Sequence, residues 1–162
     1  MFDHFFGLPL HPFIVHATVV LLPVSAAIAI AYATVSSWRW LLRWPLVAVS
    51  VFAPALTWVT VQAGMALQQQ TGIDSALIQS HQQRATTLLL VTLAFGLVGL
   101  LAAYAMGGPS SLVSGAGSRR GVASATQVGV GVLLAVTSVL VLVWVVLTGD
   151  AGARAAWDQF AV

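Results

Sequence analysis

The chain has 162 residues, of which 59% are hydrophobic and 6% charged, a formal net charge of +2 and a mean hydropathy of +0.97. A water-facing surface on a domain of this length needs far more charge, so composition excludes a soluble domain and points to a protein solvated by lipid. Cysteine is absent, which removes disulfides, iron–sulfur clusters and covalently attached c-type haem; any cofactor has to be held by nitrogen, oxygen or thioether.

Residues 1–11, MFDHFFGLPLH, are rich in aromatic side chains (Phe2, Phe5, Phe6) and are expected to lie in the membrane interface. They carry an acid and no basic residue, so no cleavable leader is expected, and the first apolar segment is read as one that inserts and stays. Four stretches, approximately 13–35, 44–65, 85–107 and 124–147, have the roughly 20 apolar residues that cross about 30 Å of hydrocarbon. Amides in lipid must be satisfied within their own segment, and these stretches lack the alternation of an outer-membrane barrel, so they are helices. The expected fold is all-α, a four-transmembrane-helix bundle in which residues 1–162 form a single membrane domain.

Between the first two segments, SSWRWLLRWP combines Trp38, Trp40 and Trp44 with Arg39 and Arg43, the chemistry of a headgroup belt. Pro23 and Pro54 fall inside segments one and two, and segment two ends in the polar run Thr57, Thr60, Gln62 and Met65. The stretch 66–83, ALQQQTGIDSALIQSHQQ, is expected to be an outer loop with a small surface helix, and GGPSSLVSGAGSRRG a flexible connector. Small residues at helix-packing distance (Gly99 with Ala103, Ala103 with Gly107, Gly131 with Ala135) suit a compact bundle and equally a homodimer interface. No internal repeat is read from that pattern. Arg39, Arg43, Arg119 and Arg120 mark the cytoplasmic side, whereas all four acids, Asp3, Asp74, Asp150 and Asp158, lie opposite with Arg84 and Arg154. Both termini are therefore expected to be extracytoplasmic, in a bacterial cytoplasmic membrane.

All four histidines, His4, His11, His16 and His81, fall on that same outer side. His16 stands about one turn inside the first segment, where an ionisable group is expensive and the neutral imidazole, with a lone pair for iron, copper or zinc, is the expected form. A hydrogen bond to a backbone carbonyl is the equally weighted alternative. His11 precedes His16 by five residues, a rotation of about 140° at 3.6 residues per turn, so the two do not share a helix face; His11 is expected to cap the helix or support the site. His81 opens segment three at the level of His16. One histidine from each of two helices, facing across a bundle, is an arrangement that holds b-type haem. On this reading His16 and His81 are the axial ligands, with Met65 at the same level as an alternative thioether ligand and Arg84 or Arg154 pairing the propionates. The rival arrangement is a single copper, zinc or iron ion held by His11, His16, His81 and Asp150.

The elements LPLHPFIVHATVVLLP, SHQQRA and LTGDAGARAAW together resemble the small bacterial membrane proteins grouped as domain of unknown function 2231, in particular a short actinobacterial branch, over nearly the whole chain. The resemblance implies a shared HPxxVH element, here His11 and His16, and a histidine leading into helix three, here His81. Relatives often carry histidine in a GHSGA-like turn where this chain has Asp150. Some look like fusions to Rieske or cytochrome-type domains, which implies an electron-transfer setting.

No phosphate-binding loop, Ser/His/Asp or Cys/His arrangement, HExxH motif or basic nucleic-acid patch is present, so no catalytic residue is assigned. The expectation is a haem b membrane protein transferring electrons near the outer face, its partners being the lipid bilayer and a redox protein or larger membrane complex. The alternatives are an outer-side metal-binding protein and a non-catalytic membrane subunit or scaffold.

Overall fold

Four long helices carry the chain back and forth: α1 (Leu10–Thr34), α2 (Arg39–Thr71), α3 (Ala76–Ala105) and α4 (Ala125–Trp157). They are seen in a computed structural model that describes residues 4–5, 8–106 and 124–157. Each is long and apolar enough to cross a membrane, and the protein is a multi-pass membrane protein. Ahead of α1, His4–Phe5 (β1) pairs antiparallel with Leu8–Pro9 (β2). Gly107, Arg119, Arg120, Asp3 and Asp158, named above for packing or orientation, lie outside the described residues.

The helix ends follow from short-range chemistry. Arg39 folds back from the start of α2 and donates Nε to the Tyr32 carbonyl and Nη2 to that of Ala33, both at 3.1 Å, satisfying carbonyls that the end of α1 leaves without an amide. Helix α2 stops at Gly72, whose φ of 64° is left-handed and whose N–H reaches the Gln68 carbonyl at 2.9 Å. Ser75 then caps α3 by accepting from the Ile78 amide. Ser124 and Gln127 open α4 with a reciprocal pair of side-chain-to-amide bonds, a capping box. The connection between α2 and α3 is therefore only Gly72–Ser75, in place of the outer loop expected over 66–83. Glutamine and alanine are good helix formers, so α2 continues past its apolar run until Gly72 stops it.

The helices form a ring in which α1 and α3 each pack between α2 and α4, so that α1 and α3 stand on one diagonal. Tyr32, Phe95, Leu22, Leu46, Leu134 and Val141 fill the centre, while Val20, Phe52, Leu97 and Val146 face outward toward lipid. Lipid is as apolar as the core, so close packing and not apolar burial has to hold the helices together. The tightest seam lies between α2 and α3. A Cβ on Gly96 would come within 2.5 Å of the Ser50 carbonyl oxygen and 2.9 Å of Pro54 Cγ, and one on Gly99 would overlap the Ser50 hydroxyl.

Gly96→Ala is expected to destabilise the bundle by about 1–3 kcal/mol, since the new methyl meets backbone that cannot swing aside. Gly129→Ala, where a Cβ meets nothing within 4 Å, is expected to be neutral or mildly stabilising. Thermal unfolding in detergent compares the two, and equal melting temperatures would contradict this packing.

Candidate functional site

The outer part of a helix carbonyl is normally screened. Its first lone pair takes the amide of residue i+4, and the Cβ of that same residue leans back over the turn and covers the second. Where residue i+4 is glycine, the second lone pair is open to a side chain from another helix. This happens twice at one end of the bundle. His11, in the first turn of α1, brings Nδ1 to 3.2 Å from the Thr60 carbonyl of α2, beside Gly64. His81, in the second turn of α3, brings Nδ1 to 3.1 Å from the Thr148 carbonyl of α4, beside Gly152. A Cβ on Gly64 would stand 3.0 Å from Cε1 of His11, and one on Gly152 2.9 Å from Cε1 of His81.

A carbonyl only accepts, so each Nδ1 carries the hydrogen and donates it. In the neutral ring the lone pair then resides on Nε2. The two rings meet across the diagonal of the bundle with centroids 6.4 Å apart and planes inclined at 75°.

The two histidine seats belong to a duplicated helix hairpin. His11 and His81 are 70 positions apart (81 less 11), and that shift carries the buried residues Thr18, Leu22, Ser25, Ala26, Ala29 and Tyr32 onto Leu88, Thr92, Phe95, Gly96, Gly99 and Ala102, all buried in α3. Thr60 and Thr148 are 88 apart (148 less 60), and that shift carries buried Leu46, Ser50, Ala53, Thr57 and Ala63 onto buried Leu134, Ser138, Val141, Val145 and Ala151. The sequences at the carbonyls are TVQAG and TGDAG, a common TxxAG. The small-residue spacing considered above does not reveal this repeat; matching the two histidines and the two TxxAG elements does. The halves differ beside the two carbonyl-bearing threonines. Thr18 sets its hydroxyl 2.7 Å from that of Thr60, whereas its counterpart Leu88 has none to offer, and the Thr148 hydroxyl is buried with no partner among the described residues.

The other expected ligands are disposed differently. His16, five residues on from His11, is exposed on the outer side of α1 and donates Nδ1–H to its own helix at the Pro12 carbonyl, 2.6 Å away; the ring that meets His81 is that of His11. Asp150 is exposed and paired with Arg154 at 3.0 Å. Arg84 donates Nη1 to the Leu147 carbonyl at 2.9 Å. Met65 sits exposed at the rim of the cavity described next. His11, His16, His81 and Asp150 do not converge, and among the described residues no group of three or more His, Cys, Asp or Glu stands together as a metal site.

A cavity of about 550 Å³ opens around the pair, a size typical of small-molecule and cofactor sites. His11, Gly64, His81, Thr148 and Gly152 line it, with His16, Met65, Val145 and Ala156 among its further walls. Gln82 donates to Gln68 on its α2–α3 side.

The fold and this pair define a four-helix membrane protein with an imidazole-lined cavity at one end of the bundle. The family described as predicted membrane protein (DUF2231) matches residues 7–161, and the chain belongs to it. No curated protein and no solved structure matches the chain.

His11→Ala removes an interhelical hydrogen bond and leaves a void against Gly64, so a loss of about 1–3 kcal/mol is expected. His16→Ala removes an exposed bond within one helix and is expected to stay within about 0.5 kcal/mol of the parent. Denaturant titration of the purified protein in detergent measures both, and a larger effect for His16→Ala would contradict the assignment of His11 to the interior.

Proposed function

We propose that the protein is a membrane redox protein in which His11 and His81 would hold b-type haem between α1 and α3, and which passes electrons near the extracytoplasmic face. The observation that carries this reading is the spacing of the pair. Imidazoles on facing helices, each with its Nε2 lone pair free, would hold one metal-centred group between them only if the rings stood close together. The observed separation is 6.4 Å.

The donor set favours haem over a bare ion. Two imidazoles complete the protein's share of a haem iron, because the macrocycle brings the other nitrogens, whereas structural zinc takes four protein ligands and catalytic zinc three. Of the residues that would fill a bare-ion shell, His16 commits Nδ1 to the Pro12 carbonyl of its own helix and Asp150 is paired with Arg154. Bound haem would supply a one-electron couple; what this chain supplies is a seat for it. The Nδ1–H bonds to Thr60 and Thr148 orient both rings and increase their basicity as ligands. The apolar surroundings limit water and influence the potential. Arginine on the 39–43 turn, at the end of the bundle opposite the pair, supports setting the pair and both termini on the extracytoplasmic side.

Protein purified after expression with ample haem is expected to show a Soret band and sharpened α and β bands on dithionite reduction. His11→Ala and His81→Ala are each expected to lose the six-coordinate spectrum, and His16→Ala to keep it. A colourless, folded wild-type protein, or an unaltered spectrum in the His11→Ala, His81→Ala double variant, would overturn the proposal.

A further inference from the structure

The duplication places one glycine beside each histidine, and the geometry gives those glycines a task that neither the ligand set nor the family description contains. We propose that Gly64 and Gly152 are positioning residues of two matched half-sites, each fixing the seat and the tautomer of one imidazole, so that both rings serve one central group as equivalent ligands. The identity of that group rests on the haem reading; the positioning does not.

Three observations converge. The contact of each glycine with its ring is close: any Cβ would reach the ring's Cε1 and Nδ1 at 3.0 and 3.2 Å for His11, and at 2.9 and 3.1 Å for His81. Both glycines stand at i+4 from the threonine whose carbonyl accepts the ring's Nδ1–H, the position whose side chain would otherwise cover that carbonyl. Of the other glycines of α4, Gly129 and Gly149 have nothing within 4 Å of a Cβ and Gly131 meets only Met106 Cε at 3.5 Å, an ordinary contact, so close crowding on that helix is found at the His81 seat. A methyl at either position pushes the imidazole away from the carbonyl. The Nδ1–H bond to the carbonyl is lengthened and weakened, so its hold on the tautomer falls and the hydrogen can move to Nε2, which removes the lone pair from the nitrogen meant to ligate.

The test uses the full-length protein in detergent, with histidine ring nitrogens isotopically labelled and haem absent. Wild type is expected to show His11 and His81 as Nδ1–H tautomers. Gly64→Ala is expected to move the His11 resonances toward the Nε2–H form and leave those of His81 in place; Gly152→Ala is expected to do the reverse. Alanine is the better helix former, and unchanged circular dichroism verifies that each variant folds; Gly129→Ala serves as the control that shifts neither ring. Hemin titration of the same samples is expected to show affinity reduced by about 10- to 100-fold, and comparably, in the two variants. If wild type binds hemin and the glycine variants bind it as well, with both rings unmoved, the positioning role is overturned. Perturbation by one glycine only overturns the equivalence of the half-sites. Tautomer shifts as expected in a wild type that takes no hemin would uphold the positioning and remove the haem reading alone.

Discussion

In a bilayer each backbone carbonyl is committed to its own helix, and for a bulky imidazole on a neighbouring helix a second hydrogen bond requires that the carbonyl be uncovered, whereas the longer Arg84 side chain reaches the Leu147 carbonyl past Ala151. The histidine seats depend on that uncovering at Thr60 and Thr148, where Gly64 and Gly152 leave the carbonyl open. Because a carbonyl offers no hydrogen, its partner nitrogen must donate, and the opposite nitrogen of each ring keeps its lone pair. Tautomer, ring orientation and the end of the bundle at which the rings sit thus follow from two missing side chains. Helix lengths serve the same end. Helices α2 and α4 run on past Gly64 and Gly152 to Thr71 and Trp157, so both carbonyls lie within regular helix beside His11 and His81.

Duplication explains why the site is a pair. A hairpin with a histidine early in its first helix and TxxAG late in its second has one imidazole seated on its own partner helix. Two such hairpins in a four-membered ring put the imidazoles on one diagonal, where they face each other. The arrangement also accounts for the tight α2–α3 seam, since Gly96 and Gly99 stand where the first hairpin has Ala26 and Ala29. With Leu88 where the first half has Thr18, the Thr148 hydroxyl has no partner among the described residues, so the halves are alike in their imidazole seats and unlike about two turns along α1 and α3.

The four spans and the all-helical class were legible in the sequence, because lipid imposes length and apolarity so strongly that composition alone reveals them; the family was legible in the resemblance carried by LPLHPFIVHATVVLLP, SHQQRA and LTGDAGARAAW. Helix ends were not, since hydropathy reports where lipid stops and the caps at Gly72 and Ser75 are what stop the chain. That helices one and three each contribute a histidine was also legible, but which histidine of helix one faces inward was not. His16 lies deeper in the apolar run and looked the more expensive to bury, yet the angular step of five residues turns it outward to bond Pro12 while His11 points into the bundle. The repeat is written in TVQAG and TGDAG and is faint in the rest of the sequence for a physical reason. Lipid-facing positions tolerate any apolar residue, so likeness persists only where backbones or rings approach closely, and the two halves register at different shifts because their connections differ in length.

The central claim is that the imidazoles of His11 and His81 lie against each other across the bundle, and solid-state NMR of the protein in lipid bilayers measures it most directly. Ring-carbon correlations are predicted between His11 and His81 and not between His16 and His81. A correlation linking His16 to His81, or none between His11 and His81, would contradict the account.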